Sequence, residues 1–151
     1  MRLEPLYRCT FAPTDNWHAD LRGDEGVERQ GFLLVEGRAE GRLAARLRAA
    51  NFPRRRTDGT QTPDFRGVLE TDDGVTVLFS WHGYGRAAEA GGSRLVGTIT
   101  HLSGDERYRW LNQTVCAVAG EVRRRDGAAF DVVLDVSELV WEPLEPVDDE
   151  R

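Results

Sequence analysis

The stretch FRGVLETDDGVTVLFSWHGY, residues 65–84, decides the fold. Two apolar-patterned runs flank Thr71-Asp72-Asp73-Gly74, and an Asp-Gly pair suits a tight antiparallel turn because glycine accepts the positive φ that such turns demand. In the second run Val75, Val77, Phe79 and Trp81 fall on one face, while Thr76, Leu78, Ser80, His82 and Tyr84 fall on the other. Side chains alternate sides along a strand, so this is a hairpin strand with one face in a core and one polar and aromatic face.

Reading forward, Gly85–Ser93 is a small-residue loop and Leu95–Leu102 resumes the alternation, delivering His101 to the segment HLSGDERYRWLNQTVCAVAG, residues 101–120. There Gly104-Asp105-Glu106-Arg107 is a turn that opens one short helical turn near 104–111, presenting Tyr108, Trp110 and Leu111. Gln113–Val122 is a strand rich in small and β-branched residues, and Asp126-Gly127 is a second hairpin turn leading to Ala128–Val140. Reading backward, Arg42–Ala50 has helix-forming composition, but Leu43, Ala45, Leu47 and Ala49 alternate with arginines, and the period of two makes it a strand. Val27–Glu36 is a strand ending in glycine punctuation, and Leu3–Phe11 alternates as another. Between them Pro13–Gly26 is expected to be a polar loop, in which Trp17 either pins the loop to the wall or caps a pocket. The run Arg54-Arg55-Arg56 is a basic loop, read either as a solvated face or as the mouth for an acidic ligand.

The count is about eight short strands with almost no helix, an all-β chain that closes into an antiparallel β-barrel or folds as a sandwich. A closed barrel of that size has no exposed edge and an interior just wide enough for side chains or one small ligand. One domain over residues 1–140 is expected, with an acidic tail at 141–151. The chain of 151 residues carries a formal charge of −6. That balance argues against a phosphate-backbone partner, so no nucleic acid is expected. The N-terminal stretch lacks the apolar run of a secretory signal or membrane span, so the expectation is a cytoplasmic protein with no membrane partner. Cys9 and Cys116 are the two cysteines, too few for a disulfide scaffold and read as packed thiols.

No metal-ligand spacing, phosphate loop, nucleophile elbow or dinucleotide fingerprint occurs, so neither a metal nor a cofactor is expected. The candidate catalytic groups are His82 and His101 at the ends of neighbouring strands, since imidazole is the natural proton shuttle near neutral pH. The competing reading makes each a surface or hydrogen-bonded histidine. Regular alternation puts Trp81 and His82 on opposite sides, so one of them alone looks inward. Candidate ligand-binding residues are Asn51, Trp81, Tyr84, Trp110 and Asn112, where indoles offer apolar wall and an amide orients a carbonyl or hydroxyl. Asn112 has an equal alternative, satisfying the backbone of the preceding turn.

The run ANFPRRRTDGTQTPDFRGVLETDDG, followed by GDERYRWLNQTV, resembles the bacterial family called domain of unknown function 3237, over roughly Leu3–Val136. The acidic-glycine turn seen at Asp72-Asp73-Gly74 and the aromatic-Leu-Asn seen at Trp110-Leu111-Asn112 carry the resemblance. It implies an antiparallel barrel similar to the allene oxide cyclase barrel, in a family without an established reaction. Three functions follow. The leading one is a barrel that binds a small, partly apolar organic molecule in its interior. The second is a cofactor-free isomerase or cyclase in which a barrel histidine moves a proton. The third is a structural or interaction module, with a homodimer left open.

Overall fold

The computed structural model describes residues 1–89 and 91–147. The strands are β1 (Arg2–Gly23), β2 (Gly26–Gly41), β3 (Ala45–Asn51), β4 (Arg54–Arg55), β5 (Gln61–Thr62), β6 (Asp64–Thr71), β7 (Thr76–Ala87), β8 (Ser93–Leu102), β9 (Val115–Arg124) and β10 (Phe130–Val140). A 3-10 turn, Arg109–Gln113, lies between β8 and β9, slightly later in the chain than the helical turn expected near 104–111.

Eight strands form a ring in the order β1, β2, β3, β6, β7, β8, β9, β10, and β10 pairs with β1 to complete it. Every neighbouring pair is antiparallel. The alternation read from the sequence is the alternation of inside and outside. Val77, Phe79 and Trp81 are buried, and their cross-strand neighbours Leu69 and Phe65 on β6 and Ile99 and His101 on β8 are buried with them. Leu47 and Ala49 face the same core, so the ambiguous arginine-rich segment is a strand. The Thr71–Val75 turn is tight, with Gly74 at φ 85°.

The expected loop at Pro13–Gly26 is instead the outer half of β1, paired with β2 down to Gly23 and Gly26. This ribbon leaves the barrel where β1 parts from β10 after Phe11 and Val132, and its residues 14–26 are exposed. A period-two apolar pattern needs one buried face, so the ribbon carried no such signal. Trp17 sits opposite Phe32 in the ribbon, and Phe32 in turn meets Phe52, with ring centroids 5.7 and 5.1 Å apart. β2 runs through Gly37 and ends at Gly41, the last glycine of the punctuated stretch.

β4 and β5 form a small flap that extends the wall between β2 and β7 beyond the ends of β3 and β6. At the opposite end the segment after β8 folds across the barrel and seats Leu111, fully buried, in the core. From Trp141 to Val147 the chain has no regular structure, and Glu142 meets the N-terminal ammonium and Arg2 at 3.2 and 2.8 Å. Residues 148–151 of the expected tail lie outside the described residues. No helix long and apolar enough to cross a membrane occurs among the described residues.

Candidate functional site

The lumen is filled in its lower half and open in its upper half. Phe11 of β1, Phe65 of β6 and Trp81 of β7 stack as a floor, with centroids 5.4 Å and 4.8 Å apart. Below it the side chains leave almost no space, about 10 Å³. Above it is a cup of about 410 Å³. Gly83 on β7 and Gly97 on β8 are directly opposed, and a Cβ on Gly83 would stand 2.0 Å from the Val96 carbonyl oxygen while one on Gly97 would stand 2.2 Å from that of His82. The two backbones therefore approach too closely for any side chain. Both glycines border a shallow groove on the outer wall.

The cup wall is mostly apolar, with Leu33, Leu95 and Val132 among its members. Its polar groups are few. Asn51, nearly buried, accepts the Asp64 backbone N–H through Oδ1 at 3.0 Å. Trp81 is 1% exposed, and its indole Nε1 has no hydrogen-bond partner. A buried donor without an acceptor costs free energy. Higher up lie Gln61, Asn16, Ser93, Arg29 and Arg124, and a vestibule beneath the ribbon and flap adds His18, Arg54 and Arg55.

The other candidate residues lie elsewhere. His82 and Tyr84 are together on the outer wall, along a shallow groove, and both are more than half exposed. The His82 ring stands between Asp64 Oδ1, 3.3 Å from Nδ1, and Ser80 Oγ, 3.4 Å from Nε2. That is the order of a hydrolytic triad, produced by the two-residue spacing on β7 and the Asp64–His82 register with β6. β7 is paired on both sides, so its backbone N–H groups are engaged in the sheet and supply no oxyanion hole. In the sequence His82 is nominated without being joined to Asp64 or Ser80. Cross-strand register supplies that link, and register is not visible in one strand.

His101, Trp110 and Asn112 belong to the closed end. Tyr7 hydroxyl and His101 Nε2 are 2.7 Å apart in the core, and Nδ1 has no partner. Burial lowers the His101 pKa to about 4, so the ring is neutral, and burial likewise pushes the Tyr7 phenol well above its usual range. Asn112 clamps the turn, accepting the Ser103 N–H at 2.7 Å and donating to the Ser103 carbonyl at 2.8 Å. Trp110 lies under the Arg42 guanidinium, 4.6 Å from ring centroid to Cζ. Asp73 accepts from Thr71 and Tyr108 hydroxyls and faces Arg107, and these hydrogen bonds hold its carboxyl below the usual carboxylate range.

Thus the structure brings Asn51 and Trp81 together at the cup and separates them from the other five candidates. Phe11, Phe65 and Arg124 also line the cup, and the sequence reading had not nominated them. Alternation marks Phe11 and Phe65 as inward, but nothing in one sequence says which inward residues border a void. The thiols are inert packing: burial pushes Cys9 up to about 12 and Cys116 to about 11. Among the described residues no group of three or more His, Cys, Asp or Glu side chains is placed to hold a metal ion.

Comparison with known proteins gives fold without reaction. A family model described as "Protein of unknown function (DUF3237)" matches residues 1–139. A β-barrel-like protein of Acinetobacter baumannii AYE is 24% identical with a TM-score of 0.73, over 91% of this chain and 94% of that one. A conserved protein of unknown function from Rhodopseudomonas palustris is 20% identical, with a TM-score of 0.72 over 92% and 97%. An enzyme from Penicillium herquei is 19% identical, with a TM-score of 0.62 over 89% and 93%. No curated protein matches the chain.

Proposed function

We propose, from the premise that this chain belongs to the DUF3237 family and has a ring of eight antiparallel strands, that its cup binds a small, partly apolar organic molecule. One observation carries the reading: a void of about 410 Å³ opens above an aromatic floor whose Trp81 Nε1 has no partner. Apolar walls with a few convergent polar groups are the usual make-up of a small-molecule site. Phe11, Phe65 and Trp81 would pack against a flat or aliphatic body, and Asn51 and Gln61 on the wall would offer amides to its polar groups. A void of this size argues against a barrel that serves purely as a filled structural module.

The enzyme reading, a cofactor-free isomerase or cyclase, draws support from the fold shared with the Penicillium herquei enzyme. In that reading the cup would act by fixing one conformer of its guest. Proton transfer by His82 or His101 gains no support from position, since neither borders the cup, while His18 borders the vestibule.

Native mass spectrometry of the protein taken directly from cells tests the binding reading. A retained organic mass is expected in the wild type, and it should disappear in Leu95→Trp, whose indole would occupy the cup. A Leu95→Trp protein that folds and retains the same mass would place the guest elsewhere.

A further inference from the structure

The sequence contains two Arg-Arg-Arg runs, at 54–56 and 123–125, and both come to the mouth of the cup. In each run the outer arginines have acidic partners. Arg54 meets Glu28 at 2.8 Å and Arg56 meets Asp58 at 2.9 Å, while Arg123 meets Glu121 and Arg125 meets Asp131, both at 3.1 Å. The middle arginines, Arg55 and Arg124, have no acidic partner among the described residues. Arg124 lines the cup and Arg55 the vestibule, and the two spaces share Arg29, Leu33, Pro53 and Phe130 as walls.

The lining is also one-sided in charge. It includes four arginines and His18, and no aspartate or glutamate. Arg29 is neutralised by Asp20 at 2.7 Å, and Arg54 by Glu28. Two uncompensated positive charges therefore stand at the entrance of an apolar cup, in a protein whose net formal charge is −6. In such a protein, acids are the common charged residues, and their complete absence from this lining marks it out. A mouth of one sign with low-dielectric walls attracts and orients the opposite sign, and guanidinium is the side chain suited to carboxylate.

We infer that the cup selects an organic anion: an apolar ring or chain that rests on Phe65 and Trp81, with a carboxylate directed outward to Arg55 and Arg124. This inference rests on the small-molecule reading above and adds the chemical class and orientation of the guest. Its head faces the mouth and its body faces the floor.

The test is displacement of the neutral fluorophore N-phenyl-1-naphthylamine at pH 7 and low salt by 2-naphthoate and by 2-naphthylmethanol, which share an apolar body and differ in charge. Naphthoate is expected to displace at about ten-fold lower concentration, the yield of two partly exposed charge pairs. Raising the ionic strength should shrink that ratio, and the double variant R55A/R124A should bring it to about one. Equal displacement by the two compounds, or a ratio that survives in the double variant, overturns the anion inference while leaving the cup as a binding site. Failure of the fluorophore to bind, or undiminished binding in a folded Leu95→Trp, overturns both.

Discussion

The two ends of the barrel are built from the same strands and behave as opposites. At the closed end the chain between β8 and β9 folds inward. Leu111 fills the lumen, Asn112 clamps Ser103, and Asp73 gathers Thr71, Tyr108 and Arg107. At the open end the strands continue past their core residues into glycine, flap and ribbon, and the lumen is left empty above Trp81. The contrast teaches that a barrel of this size has interior for one purpose per level. Where side chains interdigitate, the lumen contributes stability. Where they do not, above the floor of Phe11, Phe65 and Trp81, the same lumen is available to a guest.

The sharpest way to break this contrast is a pair of leucines. Leu111→Ala removes a fully buried side chain from packed surroundings and is expected to cost about 4 kcal/mol, the transfer loss plus a new cavity. Leu95→Ala at the cup wall forfeits a similar transfer of about 2 kcal/mol, but enlarges a void that already exists and so adds little cavity cost. Denaturant midpoints with a common slope measure both. If Leu95→Ala proves as costly as Leu111→Ala, the open end is not open in solution.

The sequence made the packed half easier to read than the empty half, for a physical reason. Packing leaves a trace in composition: period-two apolar runs put Val77, Phe79 and Trp81 on one face and His82 and Tyr84 on the other, the structure makes the first face the inner one and so moves Tyr84 out of the expected binding wall, and the Asp73-Gly74 pair located the tight turn. A void leaves no such trace. Leu33, Leu95 and Val132 read as ordinary inward strand residues until the ring of strands sets them around one space. The ribbon at 13–26 was missed because neither face is buried in a core, and the alternation that betrays a strand comes from burial. Asn112 kept two readings open in the sequence, and its paired hydrogen bonds to Ser103 make it a clamp of the turn. Trp81 and Asn51 were reachable as cup residues, but which of two ends the cup occupies depends on where residues 103–114 fold.

His101 sharpens the contrast through pH. Its folded pKa, about 4, lies below the ordinary value of 6.5 because burial disfavours the imidazolium. The unfolded chain therefore binds the proton first as pH falls. Stability from this residue is fully present above about pH 6.5 and declines through the window down to about 4, by about 3 kcal/mol in all. His101→Gln keeps a polar partner for Tyr7 and has no such titration, so its stability should vary less between pH 7 and pH 4 than that of the wild type. An identical slope in the two proteins would mean that the closed end admits water and leaves His101 near its ordinary pKa. Ligand affinity at the cup should be insensitive to the same substitution, because His101 does not border that space.

The smallest expected effect concerns how the plug is fastened from outside. Arg42 lies over the Trp110 ring and reaches Glu138 on β10 at 3.1 Å, so it ties the 3-10 turn to the far wall. Both contacts are partly exposed. A cation over an exposed ring is worth about 0.5–1 kcal/mol, and a surface ion pair from nothing to about 1 kcal/mol. Arg42→Ala is therefore expected to cost about 1 kcal/mol, well below the cost of losing Leu111. Arg42→Lys should recover part of it, since lysine keeps the charge but not the planar stacking of guanidinium. A double-mutant cycle of Arg42→Ala with Trp110→Leu isolates the ring contact, with a coupling of about 0.5 kcal/mol expected. A coupling of zero would assign the tie to Glu138 alone. The plug would then be held by Leu111 and Asn112 from within, and its outer surface could be altered without loosening the closed end.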